Sequence, residues 1–177
     1  MIETSRLILR RFAARDAQAM YDNWASDPEV TKYLTWPPHS GPEVSAMVLE
    51  SWIAGYDKMD FYQWAIVPKV EGKPVGSISV VRMDDKAGIC EIGYCIGSLW
   101  WHQGITSEAL AAVMTFLFEE VGADRVEAKH DPNNPNSGAV MRKCGMEYVG
   151  MFLQADRNNQ GICDVCVYAM TKKDRLK

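Results

Sequence analysis

The run from Cys90 to Leu110 constrains this chain more than any other. Cys90–Ile96 (CEIGYCI) is apolar and β-prone, and a glycine turn and a helical pattern follow it closely. Ile105, Ala109, Ala112, Val113 and Phe116 recur on one face from Ile105 to Glu120, and Gly122 supplies the stop. Gly104 permits a tight turn and close backbone approach. The spacing therefore predicts a buried strand feeding directly into a helix N-terminus. The first N–H groups of a helix have no intrahelical partner and carry partial positive charge, so a phosphate can sit there. The plainer reading is an ordinary strand–turn–helix in which Thr106 or Ser107 is the cap.

At 177 residues the chain is long enough for one domain with a sizeable core. A net charge of −4 argues against a surface built for nucleic-acid phosphates. No apolar run reaches the length of a membrane span. Met1–Arg6 lacks signal-peptide character, which leads us to expect a cytoplasmic protein. Cys163 and Cys166 have CxxC spacing but lie in a strand-like run, where residues three apart point to opposite faces. Cys90 and Cys95 are separated in the same way. All five cysteines thus read as apolar fillers, with no metal site expected.

Along the chain the pattern predicts strands at 6–12, 61–68, 74–82, 88–96, 125–130, 148–155 and 162–171. Helices are predicted at 14–26, 28–34, 42–56, 105–120 and 136–144. Asp27-Pro28 reads as a cap and first helical residue. Trp36-Pro37-Pro38-His39-Ser40-Gly41 reads as a rigid loop, and Asn158–Gly161 as a hairpin turn. No repeat, linker or low-complexity segment divides residues 1–177, so the class is a single mixed α+β domain.

Several segments, in order, resemble the GNAT N-acetyltransferases, and most closely the branch that acetylates ribosomal-protein N-termini (RimJ/RimL type). Glu3-Thr4-Ser5-Arg6-Leu7-Ile8-Leu9-Arg10 is similar to the opening of that branch, and Asp27-Pro28-Glu29-Val30 to its second-helix signature. Trp101, Gly104, Glu108 and Ala109 match "Trp-Gly-x-Gly-Tyr-Ala-Thr-Glu-Ala". Asn134 to Ser137, followed by Lys143-Cys144-Gly145-Met146, resembles "Asn-x-x-Ser…Lys-x-Gly-Phe". His102 stands where the branch usually has Gly, and Thr106 where it has Ala or Gly. The resemblance covers essentially the whole chain. It implies an acyl-CoA N-acyltransferase fold: a central, mostly antiparallel sheet with a splayed strand pair and flanking helices.

The resemblance also implies acetyl-CoA as cosubstrate, with no metal. Its pantetheine arm would add to the backbone of Tyr94, Cys95 and Ile96. Its diphosphate would rest on the amides of His102, Gln103, Gly104, Ile105, Thr106 and Ser107, with Asn134 as a further contact. Acetyl transfer from a thioester needs a held donor, a neutral amine and a stabilised leaving thiolate. Many GNAT enzymes place a Tyr acid where this chain has Met141. In the ribosomal branch a Ser takes that role and a carboxylate in the next strand is the base, implying Ser137 and Asp156. Glu91 occupies the position of the catalytic Glu in histone-type relatives, and burial in an apolar strand would raise its pKa. Asp156, Glu91 and a simple water all remain candidates for the base.

An α-amine has a pKa of about 7.7–8.0, so roughly a tenth is neutral at pH 7, against less than roughly a thousandth of a lysine. A site without the Tyr acid therefore suits an α-amine better. Tyr33, Trp36, Trp52, Tyr56, Phe61, Tyr62 and Trp64 fall in the segment that lines the acceptor groove in this fold. Among them, Trp36 is the expected substrate contact. The acceptor is expected to be a protein or peptide N-terminus, with a small-molecule amine, or acyl-CoA binding without turnover, as alternatives. A monomer or homodimer that binds neither nucleic acid nor membrane completes the expectation.

Overall fold

The eight strands of the computed structural model, which describes residues 1–175, form one sheet in the order β1-β2-β3-β4-β5-β6-β8-β7. They are β1 (Ile2–Glu3), β2 (Leu7–Arg10), β3 (Gln63–Pro68), β4 (Gly76–Asp84), β5 (Ile89–Ile96), β6 (Arg125–His130), β7 (Glu147–Asn158) and β8 (Gly161–Thr171). Every neighbouring pair is antiparallel except β5–β6. That parallel pair is in register only from Ile89↔Arg125 to Ile92↔Ala128. β5 runs on to Ile96 and β6 to His130 without further pairing, so the two strands diverge.

Side-chain alternation along these strands sorts residues onto two faces. On one face, Cys90, Ile92, Ile96, Val126 and Ala128 pack against α4 (Ile105–Phe116) and α5 (Pro135–Lys143). On the other, Ala65, Val67 and Cys95 pack with Phe12, Met20, Trp24 and Leu49, drawn from α1 (Ala17–Met20), α3 (Pro42–Gly55) and the segments before and between them. Cys90 and Cys95 thus belong to different clusters, as their spacing predicts. The short α2 (Pro28–Thr31) is capped by Asp27, whose carboxylate accepts the Glu29 N–H at 2.9 Å. A last helical turn, α6 (Lys172–Arg175), was not anticipated. No helix among the described residues is long and apolar enough to cross a membrane.

Three expectations need correction. The helix predicted over 14–26 is a 3-10 turn (Ala14–Asp16), then α1, then a widened π-turn (Tyr21–Ala25). Asp16 tightens its start by accepting the Ala13 N–H at 2.8 Å, and Ser26 widens its end by donating from N and Oγ to the Tyr21 carbonyl. The helix predicted to reach Glu120 leaves α geometry after Phe116, because the Ala123 N–H closes on the Leu117 carbonyl beyond a left-handed Gly122. Neither Thr106 nor Ser107 caps α4. The cap position is Gly104 at φ 75°, and both hydroxyl residues lie buried inside the first turn.

Candidate active site

A cavity of about 1290 Å³ passes through the divergence of β5 and β6 and is lined from both faces of the sheet. On the α4–α5 face its wall includes Thr106, Ser107, Asn134 and Ser137. On the opposite face it includes Trp36, Trp52, Glu91, Lys129 and Asp156. The gap is thus a passage between two chemically different compartments.

The helix-side compartment joins a strand edge to the start of a long helix. Gly93 to Ile96 of β5 pair with β4 but not with β6, which leaves one edge of the strand along the gap. One expected contact is already engaged, since the Ile96 carbonyl accepts the Trp101 indole N–H at 3.0 Å. The start of α4 follows, with its first amides directed outward. His102 adopts φ 60°, a left-handed conformation that costs a side-chain-bearing residue roughly 1 kcal/mol, so the position that is usually Gly in the resembled branch keeps a glycine-like backbone here. Asn134 sits at the N-cap of α5 but does not cap it with its side chain. A free strand edge leading into an amide-rich helix start fits a pantetheine arm followed by a diphosphate.

Ser137 is fixed across this compartment by Tyr94. Its Oγ donates to the Tyr94 hydroxyl at 3.0 Å, and that hydroxyl donates to the Ser137 carbonyl, also at 3.0 Å. Burial pushes the Tyr94 pKa well above the ordinary phenol value, outweighing the Ser137 hydrogen bond, so this hydroxyl stays protonated. Met141 is buried in the core and offers no acid. Cys144 donates its thiol to the Ser107 carbonyl at 3.2 Å, and burial pushes its pKa up to about 11, in keeping with a packing role. Gly138 gives His130 its place: a Cβ there would lie 2.5 Å from His130 Nε2.

On the far face the two candidate carboxylates share one ammonium. Lys129 Nζ lies 2.9 Å from Asp156 Oδ2 and 3.2 Å from Glu91 Oε1, and Arg82 Nε donates to Glu91 Oε2 at 3.1 Å. Glu91 is therefore a carboxylate paired with both Arg82 and Lys129. Two irregularities make the network possible. β4 bulges between Val80 and Arg82, and β7 bulges between Phe152 and Asp156, where Gln154 has φ 49°. Partial burial acts to raise the Asp156 pKa, but the Lys129 hydrogen bond and charge and the Arg157 N–H prevail and hold it below the usual carboxylate range.

Trp36 lines the same compartment, its ring 5.1 Å from that of His39. The hairpin tip braces this wall: Asn159 Nδ2 donates to the carbonyls of Thr31 and Trp36, and its N–H to that of Leu34. Tyr33 and Trp52 also reach the cavity, whereas Tyr62 and Trp64 pack on Phe116 in the core.

Residues 6–147 match the acetyltransferase (GNAT) domain family. The chain belongs to this family. It is accordingly an acetyl-CoA-dependent acetyltransferase. It is 26% identical over 175 residues to an uncharacterized N-acetyltransferase, p20, of Bacillus licheniformis, covering 97% of this chain and 96% of that one. It is also 26% identical over 157 residues to the [ribosomal protein uS5]-alanine N-acetyltransferase of Escherichia coli, covering 84% and 79%. The crystal structure of a GNAT-family acetyltransferase from Bacillus anthracis superposes with a TM-score of 0.84 at 25% identity, covering 97% of this chain and 98% of the other.

Within this GNAT domain, Tyr94, Ile96, His102, Gly104 to Ser107, Asn134 and Ser137 line the gap from the helix side, and Cys95, Glu91, Asp156 and Trp36 from the other, whereas Gln103 turns its side chain to the Leu99 carbonyl and does not line it. Lys129 was missed by sequence reasoning, although alternation along Arg125–His130 puts it on one face with Glu127. Because Lys129 holds Asp156 in its charged form, Lys129→Met is expected to raise the Asp156 pKa. If Asp156 is the base, the acidic limb of the kcat/KM profile then moves up by about one pH unit. A limb that stays in place assigns the base elsewhere.

Proposed function

We propose that this GNAT enzyme transfers the acetyl group of acetyl-CoA to the α-amine at a protein or peptide N-terminus. The observation that carries this reading is the division of the cavity. A hydroxyl pair, Ser137 and Tyr94, stands on the side where the donor's thiol would leave, and an ion-paired, weakly basic carboxylate stands on the side open to an acceptor.

The donor supplies an activated thioester, so no protein nucleophile is required. The strand edge and the amides of residues 102–107 position that donor. Ser137 is assigned as the acid that returns a proton to the departing sulfur. Its hydroxyl can rotate away from Tyr94, whose single proton is donated to the Ser137 carbonyl, and the serine regains the proton it gives to sulfur from solvent water. Asp156, or a water held beside it, accepts the amine proton. With its pKa lowered by Lys129 it is a poor base for a lysine side chain, but adequate for an amine already about a tenth neutral at pH 7. The likeness to the ribosomal-protein-alanine enzyme supports the same acceptor class.

Thiol release from acetyl-CoA, measured with N-terminal peptides beside amino acids, polyamines and aminoglycosides, tests the proposal. Turnover is expected with the peptides, and mass analysis is expected to place the acetyl group on the α-nitrogen. Turnover confined to small amines, or acetylation at lysine side chains, would overturn it.

A further inference from the structure

The turn that faces the cosubstrate phosphates is poor in charge. From Gly97 to Ser107 the sequence GSLWWHQGITS contains neither Lys nor Arg, although the proposed ligand carries a diphosphate and a separate phosphate monoester. The structure brings cations to this turn from two distant segments. A Cβ built on Gly104 would lie 3.4 Å from Lys143 Nζ and 3.5 Å from Arg6 Nη2, so both groups lean over the same turn.

Arg6 is held there by an anchored geometry. Its Nε donates to Glu108 Oε2 at 2.6 Å and its Nη1 to the Gln103 carbonyl at 3.0 Å, which aims the remaining Nη2 at Gly104. Glu108 offsets the charge of Arg6, but the guanidinium edge beside the turn still presents donors. Lys143 closes α5, whose end is joined to the first turn of α4 by the Cys144–Ser107 hydrogen bond, and it lines the cavity. Cations are favoured at helix C-termini in any case, so the location of Lys143 would be ordinary without Arg6 opposite it.

We propose that Arg6 and Lys143 form a clamp for the ribose 3′-phosphate of the cosubstrate, an inference that rests on the acetyl-CoA reading of the cavity. The amides of the turn take the diphosphate. The dianionic monoester takes the two side-chain cations, whose charge-assisted bonds are the stronger kind. The clamp makes the enzyme selective for the phosphorylated carrier.

Calorimetric titration of the protein with CoA and with 3′-dephospho-CoA tests this. Wild type is expected to bind CoA at least about tenfold more tightly. Lys143→Met and Arg6→Gln are each expected to lose about tenfold in CoA affinity and little toward the dephospho form, with thermal denaturation run alongside. Lys143 is exposed, so its variant keeps the test valid should Arg6→Gln unfold. Equal losses toward both ligands, or no loss in Lys143→Met, would overturn the clamp while leaving CoA binding intact. Failure of wild type to bind CoA at all would instead overturn the cavity reading, and the clamp with it.

Discussion

Ser137→Ala is expected to lower kcat for thiol release by about 10²–10³-fold, in the range of a lost general acid, with little change in melting temperature. The hydroxyl lies at the beginning of α5, and its one side-chain hydrogen bond among the described residues is the 3.0 Å contact with Tyr94. Removing it leaves the Tyr94–Ser137 carbonyl bond in place, so no buried polar group is orphaned and the fold has little to lose. Tyr94→Phe is expected to act through the serine, lowering kcat about tenfold while KM for acetyl-CoA stays unchanged. A purely packing role for Tyr94 would move KM and stability together. Retention of wild-type kcat within threefold in Ser137→Ala would remove the serine from the mechanism and leave the leaving thiolate to take its proton from water.

Glu108→Gln is expected to cost about 2 kcal/mol at neutral pH, more than a typical partly exposed substitution. Thr4 Oγ1, Ser5 Oγ, the Arg6 N–H and Arg6 Nε all donate to this carboxylate. An amide would turn one acceptor into a donor that faces donors. Burial alone would raise the Glu108 pKa, but the donors from Thr4, Arg6 and Ser5 outweigh it and lower the value to about 2 from an ordinary 4.5. A depressed carboxylate pKa stabilises the folded state fully above the unfolded value and loses that effect as pH falls through the folded one. The difference in denaturation midpoint between wild type and Glu108→Gln should therefore be constant above about pH 5 and shrink between about pH 4.5 and 2. A difference independent of pH over that window would show that Glu108 acts through packing and not through charge.

The parts of this enzyme that were legible in the sequence are those governed by local rules. Gly104, Asp27-Pro28 and the glycine turn that joins β7 to β8 each determine structure within a few residues. The motifs around Trp101 and Asn134 carried the family. The network at the carboxylates was not legible, because it depends on contacts that link β4, β5, β6 and β7. Nothing near Asp156 in the chain announces Lys129, and the bulge that turns Asp156 toward it is set by cross-strand register. Arg6 was read as part of an opening motif, but its position beside Gly104 depends on Glu108, 102 residues away, which pins its guanidinium. The first helical segment was misread because Asp16 and Ser26, good capping residues, distort the helix from within when their partners are Ala13 and Tyr21.

The divergence of β5 and β6 has a consequence for how such an enzyme can change over generations. The two walls of the cavity belong to separate hydrophobic clusters on opposite faces of one sheet. Substitutions around Trp36 and Trp52 repack one cluster and leave the other undisturbed. A change of shape on the wall proposed for the acceptor therefore need not pass through the sheet to the wall proposed for the acyl donor.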